Sequence, residues 1–423
     1  MTGYNRLEQA VGAFLDRFPR TKGTVETAYQ RTSYRLFADS GFEYELHDDA
    51  ELRTAEVWCG GAEQTGGRFV GFYDVCPWNR SMTRYFVHET DDSDDSDGNP
   101  TSIVVLEDGT ATTVGSTEAW NYQQGSRTQW HPTRAGTLVF NDVEAGDAVT
   151  RVVDVDGETV RTVSRPVQAV NPTGGEFLSV NYRRLDRNSP GYGYGTDDGS
   201  SLPPPDSDGI FRVGFDGESE LIVPLSDLRE AAGGDVSHTA HYIHHVLYAP
   251  DGERFVFLHR WMDGEKRRTR LFVADRDGNR RLLLENRNVS HFSWLDDERI
   301  FMWGGSEAFG NGYHVVDVES GELTYVGALD GYSDGHPSVS PDGEWVVTDS
   351  YPNRLRKRSL TLYHLDSERV VRLGEFLAPF GFDGPRRCDH HPRWSPDGKF
   401  VSIDSVHEGV RRSYVVDVSS LTG

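Results

Sequence analysis

An all-β fold, a β-propeller of seven blades with a short N-terminal helix, is what this 423-residue chain predicts. Three observations lead there. Residues 336–350 return almost intact as residues 391–405, and a third copy runs over residues 245–257 with Ala249 in place of Ser340 and Ser395. A unit of this size recurring along a chain marks a repeat architecture. Within each copy Pro-Asp-Gly separates two short apolar strands, the Pro fixing one turn dihedral and the Gly accepting a positive φ, which makes a hairpin. A further strand follows each hairpin, at residues 359–366, 414–418 and 270–275, and each ends in an acidic turn. Three or four short antiparallel strands per unit, repeated radially, close into a propeller.

At the start of the chain, residues 2 to about 21 carry Leu7, Val11, Phe14, Leu15 and Phe18 on one face. That spacing predicts one helix on the outside of the propeller. Residues 34–49 hold no clear period and read as an edge hairpin or loop. The expected organisation is therefore a helix-and-edge segment over residues 1–50, packed on a propeller of residues 51–423. Blades are expected to start near Arg68, Gln129, Gln168, His245, His291, His336 and His391. The units before His245 are degenerate, which leaves six or eight blades open. Residues 91–100 and the Gly/Tyr/Pro/Asp-rich residues 188–208 interrupt the rhythm as insertions, and long loops on a rigid scaffold are where function concentrates.

The 45 glycines and 19 prolines suit a fold made of turns. A net charge of -24 has two readings, an acidic surface kept hydrated in a high-salt organism or compartment, or a face for a cation or basic partner. The acids scatter over turns, with only residues 91–97 forming a run, which favours the solvated surface. Nucleic acid is excluded as an expected partner, because a phosphate backbone needs a basic footprint. The first twenty residues lack a continuous apolar core, so neither a signal peptide nor a membrane span is expected, and a cytoplasmic location is. Cys59, Cys76 and Cys388 cannot all pair, in keeping with a reducing compartment.

Six residues before the Asp of each Pro-Asp-Gly turn stand His245, His336 and His391, and by looser alignment Gln129, Gln168 and His291. Equivalent positions of radially repeated strands meet at a propeller's axis, so these imidazoles and amides are expected to converge there. Imidazole with amide or thiolate company is an ordinary first shell for a divalent transition metal, and Cys388 precedes His391 closely enough to join it. The competing reading is a His-Pro pair that caps strand backbone, copied by duplication. A second cluster, residues 120–131, is dense in amides and aromatics and suits sugar recognition, with Trp120, Tyr122, Gln124 and Trp130 as binding candidates beside Tyr192 of the later insertion. A Trp-rich blade interface is the alternative. Arg183 and Arg260 fit a two-point contact with a uronate carboxylate or a surface ion pair.

The sequence Tyr122-Gln123-Gln124-Gly125 with Gln129-Trp130, the His-Pro-x-x-Ser-Pro-Asp-Gly units, residues 257–261 and Arg387-Cys388-Asp389-His390-His391-Pro392 resemble the β-propeller polysaccharide lyases, oligogalacturonate lyase and the ulvan lyases among them. The likeness runs from about Arg68 to Val418, and its Ser-Pro-Asp-Gly part is shared with the propeller of the translocation protein TolB. The resemblance implies β-elimination on a 4-linked uronic acid: a base takes the C5 proton, an Arg or metal neutralises the carboxylate, and a Tyr or His protonates the leaving oxygen. It implies a divalent metal, Mn or Zn, with Gln129, His245, His291, His336, Cys388 and His391 as candidate ligands. Catalytic candidates are His131 or His245 as base, Tyr182 as acid, and Arg183 or Arg260 at the carboxylate. Ulvan lyases use two early-blade histidines, whereas His131 stands alone between His88 and His238 here, so an enzyme of short acidic oligosaccharides fits better. A non-catalytic propeller that binds glycan or protein in surface-polysaccharide or glycoprotein assembly is the alternative. A prolyl-oligopeptidase-like peptidase is disfavoured by the lack of a Gly-x-Ser-x-Gly elbow.

Overall fold

Pro-Asp-Gly turns organise the ring. In the computed structural model, which describes residues 19–37, 41–64, 66–90, 99–230, 240–264, 266–285 and 287–423, the described residues form seven antiparallel sheets around one axis. Each repeat turn closes alike: Gly343 N–H donates to Ser340 C=O at 2.9 Å and takes φ +75°, which a side chain would disfavour. The Ser hydroxyl adds a second lock, accepting from the backbone N–H of Trp345 at 2.9 Å and, in the last blade, Phe400 at 3.0 Å. Ala249 forms the same turn without that lock.

The inner strands of blades 1 to 7 are Gly67–Phe69, Gln129–Trp130, Ala169–Val170, His241–Tyr248, Phe292–Trp294, Ser338–Val339 and Arg393–Trp394, which begin within two residues of the expected starts except in blade 4, where the strand begins at His241 rather than His245. Blade 7 is built from both ends of the chain. Its outer strand, Glu51–Thr54, pairs with Arg412–Asp417, Glu51 opposite Asp417 and Thr54 opposite Tyr414. Tyr44–Leu46 adds a fifth strand outside blade 6. The edge segment is thus a single strand rather than a hairpin. A described helix, Pro19–Phe37, packs Tyr34 edge-on against Phe380 at 5.5 Å. Most of the predicted helix, residues 2–18, and the acidic run 91–97 lie outside the described residues. No described helix is long and apolar enough to cross a membrane.

Blade faces supply the core. Val256, Leu258, Leu271 and Val273 of blade 4 pack on Phe292, Trp294, Ile300 and Met302 of blade 5, and Val347, Leu360 and Leu362 of blade 6 on Trp394, Val401 and Ile403 of blade 7. Each such side chain contributes about 1.5–3 kcal/mol on burial. The segment from Val70 to Asp74 crosses the axis and ties the blades together. Asp404 of blade 7 accepts from the N–H groups of Val70 and Gly71, both at 2.9 Å, while the Tyr73 hydroxyl donates to Phe292 C=O of blade 5 at 2.9 Å. Asp74 pairs with buried Arg127 at 2.7 Å. Gly71 is required there: it sits at φ +116°, and a Cβ would lie 2.7 Å from the Gln124 carbonyl carbon.

Candidate active site

Radial repetition brings the blade-opening histidines together. Ring centroids are 5.2 Å apart for His245 and His291, 4.0 Å for His291 and His336, and 4.3 Å for His336 and His391, and all four side chains are buried. Phe72 stacks on His245 at 5.1 Å and meets His391 at 5.0 Å, while Tyr73 lies 5.5 Å from His336. Tyr73 also lines a separate cavity of about 390 Å³ on the side of the Pro-Asp-Gly turns. The crossing segment therefore stands between the imidazoles and that opening.

Blade 4 contributes two rings where an ordinary strand would present one. The pairing of His241–Tyr248 with Arg254–Asp263 shifts register between His244 and Leu247, and His245 takes φ +50°. A bulge of this kind re-aims side chains that alternation would send to opposite faces. His244 and His245 consequently lie 4.0 Å apart. The insertion at residues 188–208 reaches back over the axis, so that Tyr192 meets His244 edge-on at 4.5 Å and its hydroxyl accepts from Arg387 Nη2 at 3.2 Å.

Hydrogen bonds fix which nitrogens are free. Asp349 Oδ1 accepts from His336 Nδ1 at 2.8 Å, and Gly71 C=O accepts from His391 Nδ1 at 2.7 Å. Both acceptors lack a proton, so Nδ1 carries the hydrogen in each ring, and burial with His336 beside it holds His391 well below the usual histidine range, which leaves the lone pair on its Nε2. Neither Nε2 has a partner among the described residues. Ligand atoms of His336, His391 and Asp389 all lie within 4.8 Å of one another. His291 Nδ1 is 3.3 Å from Asp334. Backed imidazoles with open ε-nitrogens beside a carboxylate fit a divalent cation. Asp389 is itself flanked by Arg387, 2.7 Å from Oδ2, and by Arg358, 2.8 Å from Oδ1 as an ion pair off the hydrogen-bond axis.

Electrostatics separate these groups by role. Burial, reinforced by neighbouring imidazoles and Arg260, holds His244 and His245 well below the usual histidine range, and burial with His336 brings His291 to about 4. These rings are neutral at pH 7. Burial opposes the charge on Asp389, yet Arg358 and Arg387 hold its carboxyl well below the ordinary range. Arg260 is buried beside the neutral rings, and among the described residues it has long contacts to the carbonyls of Val289 and Ser290 at 3.4 and 3.5 Å and an Nε without a partner. Burial, with Arg267 nearby, pulls its pKa down to about 10. No carboxylate pairs with Arg260 among the described residues.

Of the sequence candidates, His245, His291, His336, His391, Arg260 and Tyr192 meet at the axis, and the others have different surroundings. Gln129 bridges backbone, accepting from Val170 N–H at 3.1 Å and donating to Arg127 C=O at 3.1 Å. Cys388 packs with Phe382 and Val406, and burial pushes its thiol up to about 12. His131 lies 4.8 Å from Phe215 between blades 2 and 3. Tyr182 opens the helix Tyr182–Asn188, stacks on Tyr194 at 4.3 Å and donates to Gln168 Oε1 at 2.7 Å. Arg183 pairs with Asp198 at 2.7 Å. Trp120 and Tyr122 pack on each other at 5.0 Å, Trp130 donates to Pro77 C=O, and Gln124 is buried beneath the loop that faces Gly71. Sequence reasoning missed His244 and Asp349, and placed Asp389 beside His391 only as a neighbour of Cys388. The repeated Asp-Ser pairs at residues 349–350 and 404–405 were the signal for the second.

Among solved structures, the chain is similar to an oligogalacturonate lyase from Vibrio parahaemolyticus, with 15% identity, 89% of this chain and 96% of that chain covered, and a TM-score of 0.60. It is similar too to an oligogalacturonate lyase in complex with manganese, with 14% identity, 88% and 96% coverage and a TM-score of 0.60. At this identity the likeness is one of fold. No family model matches the sequence, and no curated protein matches it.

Proposed function

We propose that the protein is a lyase that cleaves uronic-acid-containing oligo- or polysaccharides by metal-assisted β-elimination. The observation that carries this reading is Arg260, a buried guanidinium without a counter-ion among the described residues, next to a neutral, unpartnered imidazole. A buried cation left unpaired is costly, and a substrate carboxylate would complete it by a two-point contact. The fold shared with oligogalacturonate lyases supports the same class of substrate.

His244 is the base in this reading, because both ring nitrogens are buried without a partner and the ring is neutral. It takes the proton from C5 while Arg260 holds the carboxylate on which charge develops. Tyr192, rather than Tyr182, returns a proton to the leaving oxygen, since Tyr182 is occupied by Gln168 and Tyr194. His291, His336, His391 and Asp389 would hold a divalent cation such as Mn or Zn, which supplies Lewis-acid polarisation of the carboxylate. Three free cysteines suit the cytoplasmic location that belongs to this proposal.

The test is incubation with a panel of uronate oligosaccharides while following the near-ultraviolet absorbance of an unsaturated uronate. A rise that is absent in His244→Ala and abolished by chelation is expected. Saturable binding without any unsaturated product would instead favour a glycan-binding propeller.

A further inference from the structure

Asp349 reaches two of the axial histidines at once. Its side chain is 0% exposed, and its two oxygens serve neighbouring blades. Oδ1 accepts from the backbone N–H of His336 at 2.7 Å and from Nδ1 of the same residue at 2.8 Å, and Oδ2 accepts from the backbone N–H of His391 at 3.2 Å. His391 sits at φ +45°, a left-handed conformation that a non-glycine residue keeps only when its surroundings hold it. One carboxylate therefore sets the tautomer of one ring and anchors the strained backbone of the next.

The repeat applies the same device to the other side of His391. Asp404, the equivalent Asp of blade 7, takes the N–H groups of Val70 and Gly71 and pairs with Arg393 at 2.9 Å. Gly71 C=O in turn receives His391 Nδ1. His391 is thus held at its backbone by Asp349 and at its ring by a carbonyl that Asp404 fixes.

We infer that Asp349 is a positioning residue for a bound divalent cation, aiming the ε-nitrogens of His336 and His391 at one point. This rests on the proposal above that these imidazoles hold such a cation. Groups that orient ligating imidazoles typically matter 10–100-fold in metal affinity.

The test uses Asp349→Asn, which keeps the side-chain volume and one acceptor, with Asp349→Ser as a second variant. In the cation-free protein, nitrogen NMR of the histidines should show His336 protonated at Nδ1 alone in the wild type, and a changed tautomer balance in Asp349→Asn while circular dichroism stays native. Titration calorimetry with Mn²⁺ and Zn²⁺ should show affinity about 10–100-fold weaker in the variant. A remaining loss should persist in the His336→Ala background, because His391 is held too. An unchanged tautomer and unchanged affinity would overturn the inference, as would a loss that vanishes entirely with His336→Ala. Wild-type protein that takes up neither ion would refute the metal reading itself, an outcome separate from the tautomer result.

Discussion

Arg260 is buried with no paired carboxylate among the described residues, so its substitution should separate stability from function. Arg260→Met removes an uncompensated charge and is expected to stabilise the fold by about 1 kcal/mol or more, read as a rise in melting temperature. The same change should lower kcat/KM on a uronate oligosaccharide by about 100-fold or more. The two tyrosines make a second contrast. Tyr192→Phe should lower kcat with little effect on the melting temperature, because among the described residues its hydroxyl meets Arg387 alone. Tyr182→Phe should leave kcat near wild type and lower stability by about 1 kcal/mol, since its hydroxyl serves buried Gln168. Comparable losses of kcat in both would contradict the assignment. Single residues were legible in the sequence only where repetition marked them. His245, His336 and His391 recur at one offset from a turn, whereas His244 lies on the opposite side in strict alternation and reaches the axis only through the bulge.

Turns and strand ends decide the elements. Pro-Asp-Gly made blades 4, 6 and 7 readable, and weaker turn chemistry left blade 5 and the first three recognisable by their starts alone. Glu51–Thr54 could not be assigned from pattern, because four residues carry too little period and their partner lies at the far end of the chain. That strand closes the ring by covering the edge of Arg412–Asp417, which would otherwise offer unpaired backbone to other chains. Removing residues 1–54 is expected to abolish the cooperative thermal transition and to yield aggregates by size-exclusion chromatography. Removing residues 1–40, which spares both edge strands, should preserve the transition. Equal behaviour of the two truncations would show that closure does not depend on the strand.

Across the whole molecule, buried histidines link stability to pH. Burial brings His88, His131 and His407 to about 4, all of them away from the axial rings. Each binds its proton near pH 6.5 when unfolded and only near pH 4 when folded. The unfolded chain thus holds more protons in that window, and stability is complete above pH 6.5 and falls as the pH drops toward 4. Each imidazole contributes about 1.4 kcal/mol per pH unit within it. Melting temperatures should decline steadily over this range, and a flat profile would mean that these rings are not neutral in the fold. The propeller and its ring of histidines followed from repetition. His244, beside the bulge of blade 4, and Tyr192, on the insertion, reach the axis through features that no period encodes.

Central to the account is the claim that the axial cluster removes the C5 proton of a uronate held by Arg260. Proton NMR of an acidic oligosaccharide incubated with the protein in the presence of Mn²⁺ or Zn²⁺ tests it most directly. Loss of the C5 proton together with the appearance of a vinylic proton at C4 is expected, neither seen with Arg260→Met or with the carboxyl-reduced sugar. An intact C5 proton across the uronate panel, with cation bound, would contradict it and leave a shared fold without the shared chemistry.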